Sequence, residues 1–255
     1  MFVLSLTALI LCIFFLGASV FSFLNVVAWR LPRHMNFMTG RSICPSCGHT
    51  LSAADLIPVF GYLLRRGKCH YCKAKISSRH VWTELLGGLA SVAVFAIYPW
   101  KPALALTVFA FVSLLFLITV VDAQTMEIPN GFTVAVFIAG LLCGVVFPQI
   151  GWFDRLIGAF CVSVPLLLIT LLVPGAFGGG DIKLMAAGGV FLGWKLCLTA
   201  GFLAILTGGA YGGWLLATKR ASKGAHFAFG PFLCAGMLLA WFFGDPLIQW
   251  YISLF

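Results

Sequence analysis

Charge is scarce in this chain, and acid is scarcest of all. Seven Asp and Glu stand against 16 Lys and Arg in 255 residues, and charged residues make up 9% of the whole. A soluble domain carries about 25%. With 62% hydrophobic residues, a water-soluble fold could not hide its apolar surface, so lipid must be the solvent for most of the chain. No Lys or Arg precedes the first apolar run, from about Phe2 to Ala28, whereas Arg30 and Arg33 follow it. A secretory signal carries its positive charge in front. The reversed order reads as an uncleaved anchor with its N-terminus outside. No internal repeat supports an inverted-repeat transporter, and no glycine-rich fingerprint of a soluble methyltransferase occurs.

What remains is helix and short breaks. Apolar runs at about 81–98, 103–121, 131–148, 156–174, 183–196, 198–217 and 227–243 follow the first, each near the length that crosses a bilayer or somewhat shorter. The reading is an all-α, polytopic integral membrane protein of about eight transmembrane helices, with seven if the weak break near Gly193–Lys195 is ignored. Residues 1–29 form the first helix, 30–80 a small polar domain, and 81–255 the transmembrane core. With the N-terminus outside, the inner loops are 30–80, 122–130, 175–182 and 218–226. With their edges these hold thirteen of the sixteen basic residues, including Lys183 and the cluster Lys219, Arg220 and Lys223. The positive-inside rule favours this orientation. The net charge of +9 therefore marks a membrane side, with lipid and not nucleic acid as the partner.

Four of the nine cysteines are clustered, as Cys44-Pro45-Ser46-Cys47 and Cys69-His70-Tyr71-Cys72. Two such knuckles about twenty residues apart are a zinc signature: each turns two sulfurs to one point, completing a tetrahedron. Arg65, Arg66, Lys68, Lys73 and Lys75 offset the thiolate charge. Disulfides are the rival reading, opposed by a cytoplasmic loop whose thiols stay reduced. Four cysteines leave no open position on the ion, so the zinc is structural. His49 and His70, close by, read as surface residues.

Two of the seven acids, Asp122 and Asp181, stand at the ends of apolar runs on one predicted membrane face. Asp122 ends the third helix, before Ile128-Pro129-Asn130. Asp181 closes Gly178-Gly179-Gly180-Asp181 and opens a later helix. The plain readings are a helix N-cap for Asp181 and an interfacial loop residue for Asp122. The chemical reading is a pair sharing one proton: the ionised carboxyl activates water while the protonated one polarises a peptide carbonyl. Gly178 and Gly180 lack Cβ atoms and would let an extended substrate approach closely.

Taken in order, these blocks resemble the type IV prepilin peptidases, which are membrane aspartic proteases. The likeness starts at Ser22-Phe23-Leu24-Asn25-Val26-Val27 and Arg30-Leu31-Pro32. It continues through the four-cysteine loop, Asp55-Leu56-Ile57-Pro58, Leu64-Arg65-Arg66-Gly67-Lys68-Cys69, Ile76-Ser77, Arg79 and Glu84-Leu85-Leu86. Asp122 with Ile128-Pro129, Gly178-Gly179-Gly180-Asp181 with Lys183-Leu184, and Phe229-Gly230-Pro231-Phe232 complete it. The resemblance implies a catalytic pair, Asp122 and Asp181, supported by Gly178, Gly180, Asn25, Glu84 and Lys183, with zinc on Cys44, Cys47, Cys69 and Cys72. It implies an inner-membrane protein that cuts the short basic leader from prepilins or pseudopilins after a Gly, at the cytoplasmic face. It also implies methylation of the new N-terminus, often on Phe, with S-adenosylmethionine. His80-Val81-Trp82 departs from the family's common Tyr-Pro-aliphatic run. Asn25 either lines the site or bonds a neighbouring helix. Glu84 is either a first-turn acid favoured by the helix dipole or a group near the substrate's amine.

Two rivals remain. The presenilin and signal-peptide-peptidase group also uses two membrane aspartates, but its Pro-Ala-Leu motif follows the glycine-rich block, whereas Pro102-Ala103-Leu104 precedes both acids here. A zinc-stapled membrane scaffold explains the cysteines and leaves the same-side aspartates without a purpose.

Overall fold

The computed structural model describes residues 2–33, 35–36, 42–44, 46–52, 55–218 and 227–254, with 2–4 as backbone alone. The basic cluster Lys219, Arg220 and Lys223 lies outside the described residues. Helices are α1 (Phe2–Arg30), α2 (Phe60–Leu64), α3 (Arg79–Ile97), α4 (Pro102–Thr125), α5 (Asn130–Val146), α6 (Trp152–Cys161), α7 (Ser163–Leu172), α8 (Gly179–Ala217) and α9 (Gly230–Ile252). The all-α expectation agrees with this. Among the described residues the only β pairing is two isolated bridges, Ile43 with Thr50 and Lys68 with Lys75.

Six helical stretches are long and apolar enough to cross a membrane, with α6 and α7 counted as one stretch of 21 residues. Pro165 explains their break. It has no N–H to give and its ring crowds the carbonyl of Cys161, so the helix interrupts at Val162. The 17-residue α5 is a shorter apolar helix. The 39-residue α8 is not straight: Gly193 leaves helical geometry at φ 74°, ψ 169°, a region open essentially to glycine alone. The weak break expected near Gly193–Lys195 thus falls at Gly193. Counting α5 and both arms of α8, eight apolar helical segments are present among the described residues, seven of them within the six long stretches.

By its internal contacts the chain forms two compact units, residues 1–109 and 110–255. In the first, α1 packs on α3. The Ser91 hydroxyl donates to the carbonyls of Ile13 and Gly88 at 2.9 and 2.8 Å, joining the two helices. In the second, α8 is the central helix, against which α5, α6 and α9 pack. Phe111 stacks on Phe191 with centroids 3.9 Å apart, and Leu115, Ile118, Leu184, Met185, Leu233 and Met237 are fully buried around them.

Arg155 is a residue the sequence hid. It falls outside the four predicted inner loops, yet it is 1% exposed. Its guanidinium donates to the carbonyls of Val190, Phe191, Phe147 and Ile150 at 2.8–3.2 Å. These are carbonyls left over at the C-terminal end of α5 and at the Gly193 break, so a buried charge satisfies acceptors that the lipid cannot. Next to it, Asp154 accepts from the Trp194 indole at 2.9 Å.

Candidate active site and four-thiol cluster

Each key carboxyl sits where a helix begins. Asp122 occupies the last turn of α4, an unfavourable end for an acid. The turn closes on Met126, which at φ 55° donates its N–H to the Asp122 carbonyl at 2.8 Å. The side chain finds its partner 108 residues away: Oδ2 accepts from the backbone N–H of Gly230, first residue of α9, at 3.0 Å. A helix N-terminus, with its unpaired N–H groups, is a ready site for such an anion.

Asp181 is handled in the same way by α8. The plain expectation made it the N-cap. Gly178 holds that position instead and Asp181 stands three residues in, reaching back so that Oδ2 accepts from the Gly178 N–H at 3.2 Å. An N3 acid satisfies an otherwise orphaned donor and suits the helix dipole.

The starts of the two helices that hold the carboxyls both close on Ile128. A Cβ on Gly230 would lie 2.6 Å from Asp122 Oδ2 and 3.2 Å from Ile128 Cδ1, and a Cβ on Gly180 would lie 2.9 Å from Ile128 Cβ. Glycine at both places lets the starts of α8 and α9 close on the segment after Asp122. Phe177 and Phe229, each beside a bonding glycine, meet with rings 5.4 Å apart. Asp122 is 4% exposed and Asp181 8%, and among the described residues neither has a Lys or Arg ion pair. Gly180 is therefore filled by Ile128, whereas Gly179 has open space. A groove of about 450 Å³, lined by Phe177, Phe229, Ile205, Gly208 and Gly212, opens beside the residues that precede the two bonding glycines.

The other named residues have partners. Lys183 donates to the Asn130 side chain at 2.9 Å, tying α8 to the start of α5. Asn25 donates to the Thr83 hydroxyl at 2.5 Å, the interhelical bond among the two expectations. Glu84 is not a first-turn acid, because α3 begins five residues earlier, at Arg79. Its carboxylate accepts from the Ser22 hydroxyl at 2.6 Å and from the Val59 N–H at 2.8 Å.

The four clustered sulfurs lie within 4.8 Å of one another. Each knuckle is a small hairpin: Cys44 and Cys69 donate their N–H to the carbonyls of His49 and Ala74, both at 2.9 Å, while their own carbonyls accept from Gly48 and Lys73. The equivalent turn residues, Gly48 and Lys73, both have positive φ, 69° and 58°. Cys44 and Cys72 sulfurs are 3.9 Å apart, close to the roughly 3.8 Å edge of a tetrahedron with ~2.3 Å metal–sulfur bonds. Backbone N–H groups of Ser46 and Cys47 lower the Cys44 thiol to about 6. The Ala74 N–H acts likewise on Cys72, but lost hydration and the three neighbouring sulfurs outweigh it and leave that thiol raised to about 11. Such a cluster favours thiolate yet cannot ionise fully without a cation, so its donors fit a metal. All four are free thiols, and His49 and His70 are exposed, with the His49 ring tilted against Tyr71, centroids 3.6 Å apart.

Fold and site together define a multi-pass helical membrane protein with two buried carboxyls held at helix starts and a four-thiol module between its first membrane helices. Residues 15–98 match the bacterial peptidase A24 N-terminal domain and residues 109–213 the type IV leader peptidase family. The chain belongs to the type IV leader peptidase family. A relative from Bacillus subtilis, named prepilin leader peptidase/N-methyltransferase, is 34% identical across 95% of this chain and 97% of its own. Relatives of the same name from Aeromonas hydrophila and Neisseria gonorrhoeae are each 31% identical, over 95% and 93% of this chain and 93% of each of theirs. No solved structure matches.

Proposed function

We infer that this chain is a prepilin leader peptidase in which Asp122 and Asp181 activate water at the cytoplasmic face of the inner membrane. The observation that supports this reading is that two buried carboxyls, far apart in sequence, are held by the glycine-led starts of α9 and α8, and that both of those starts close on Ile128. Two carboxyls in one poorly hydrated site hold a single proton between them. The ionised one removes a proton from water as that water attacks the peptide carbonyl. The protonated one donates its proton to the carbonyl oxygen; the proton taken from water then passes to the leaving amine as the C–N bond breaks, and the re-forming carbonyl returns the other proton to its carboxylate. Gly230 and Gly178 N–H groups fix the carboxyls in place, so one oxygen of each remains for the reacting groups. The groove gives the apolar part of a substrate a seat beside the scissile bond.

The substrate is a prepilin or pseudopilin whose basic leader is cut off. Cys44, Cys47, Cys69 and Cys72 would hold a zinc ion, which supplies a structural staple for the loop and no hydrolytic chemistry. N-methylation of the new terminus, with S-adenosylmethionine as donor, follows from the relatives' name and the resemblance. The described residues contain no parallel sheet with a glycine-rich turn of the kind that cradles a nucleotide-like donor, and no step of the cleavage runs through it. The orientation is N-terminus outside. Coexpression with a prepilin tests the function, with mass spectrometry reading leader removal and a 14 Da gain on the new N-terminus, the mass of about one methylene. An intact leader in cells containing the folded wild-type protein would contradict the reading.

A further inference from the structure

Residues 30–80 read from sequence as a polar cytoplasmic insertion, yet one part of it is neither polar nor buried. Leu56, Ile57, Phe60, Leu63 and Leu64 are 47%, 45%, 48%, 59% and 79% exposed. They belong to a closed loop whose two ends are joined by the Asp55–Arg65 ion pair, with Asp55 further held by the Ser52 N–H and hydroxyl at 2.7 Å. Both base residues are polar and the tip is apolar, the reverse of an ordinary surface loop.

The loop runs down the side of α1. Val59 bonds Glu84, which bonds Ser22, and Phe60 meets Phe15 with rings 5.6 Å apart. From Ser22 to Phe15 is about 10 Å along a helix, and from Arg30 to Phe15 about 22 Å. The 29 residues of α1 span about 43 Å, more than the ~30 Å hydrocarbon core. With the basic end of α1 among the headgroups, Ser22 lies near the boundary and the Phe60 tip below it.

Backbone at that depth must satisfy its own polar groups, and around the tip the loop does so at Val59, Phe60, Gly61 and Leu63. Pro58 has no N–H, Val59 donates to Glu84, Phe60 to the Pro58 carbonyl at 2.6 Å, Gly61 to Ile57 and Leu63 to Val59. The cost is a γ-turn at Val59 with φ 62° and ψ −53°, a rare conformation for a β-branched residue. Just beyond the tip, exposed Arg66 and Lys68 stand at the loop's polar end, followed by exposed Lys73 and Lys75. Exposed apolar tip and adjoining cations complement the acyl boundary and anionic headgroups respectively, and the surface continues the lipid-facing wall of α1.

We propose that residues 55–65 are an interfacial lipid anchor: the apolar tip lies in the acyl boundary beside α1 while Arg66 and Lys68 engage anionic headgroups, fastening the four-thiol module to the bilayer. The anchor stands whether or not the chain cuts prepilins. The test is a photo-crosslinking amino acid placed at Leu64, and separately at Ile43, which is 56% exposed on the four-thiol module. The full chain is reconstituted in vesicles of anionic phospholipid with labelled acyl chains. Several-fold more lipid adduct at 64 than at 43 is expected, and Leu63 should behave like Leu64. Arg66→Gln with Lys68→Gln should lower the adduct at 64 in anionic vesicles and leave it unchanged in zwitterionic ones. Equal adduct at 64 and 43, or crosslinks from 64 and 63 to protein in place of lipid, would overturn the anchor.

Discussion

Gly230 is the clearest case of a residue whose importance lies in what it lacks. Its N–H holds Asp122 at 3.0 Å, and an added Cβ would stand 2.6 Å from the same carboxyl oxygen. Gly230→Ala should therefore push Asp122 aside and cut leader removal by at least about tenfold, the loss expected from a small displacement of a reacting group. Gly180→Ala should also impair the enzyme, through Ile128 Cβ at 2.9 Å. Gly179→Ala, with nothing within 4 Å, should retain near wild-type rate. Initial rates on one prepilin, at equal amounts of folded protein, compare the three. The sequence exposed Asp122 and Asp181 because acids are so rare in it. It did not expose the Gly230 contact, since a bond across 108 residues depends on where α9 begins. Phe229-Gly230-Pro231-Phe232 was visible as a block, but nothing local tied it to Asp122.

At the level of elements, two devices deserve tests because each breaks a local rule. Arg155 is a buried cation facing carbonyls, with no carboxylate among its bonded partners. Arg155→Met removes the donors and leaves acceptors bare at the end of α5 and the Gly193 break. The expected cost is about 2–4 kcal/mol, from hydrogen bonds to a charged group, read as a melting temperature in detergent lower by roughly 5–15 °C. In the four-thiol module the left-handed turns at Gly48 and Lys73 carry opposite expectations. Gly48→Val should cost about 1–2 kcal/mol and speed metal loss to a chelator. Lys73→Gly should be neutral or slow it. The knuckles were readable from spacing alone, whereas the apolar loop before the second knuckle was masked by the basic residues around it. Average polarity over fifty residues hid five exposed apolar side chains, Leu56, Ile57, Phe60, Leu63 and Leu64.

The whole molecule has a topology that one experiment can address. Helices α4 and α5 form a hairpin in sequence, so the turns flanking α5 should lie on opposite membrane sides. Met126→Cys and Ala176→Cys should react with a membrane-impermeant thiol reagent from the cytoplasmic side, and Gln149→Cys from the other, with sites assigned by mass spectrometry. The eight apolar segments were legible because lipid tolerates so few alternatives to a helix. Their exact lengths were not, since Pro165 and Gly193 bend continuous apolar runs in ways that hydropathy does not register.

Most direct is the rate of leader removal by purified Asp122→Asn and Asp181→Asn in proteoliposomes with a prepilin. Both changes keep size and hydrogen-bonding capacity but remove the acid. Each should lower the rate by at least about 10²-fold, the lower range for a positioned general acid or base, with the fold intact by monodisperse elution and unchanged melting. Cleavage by either variant at the wild-type rate would contradict the proposed pair.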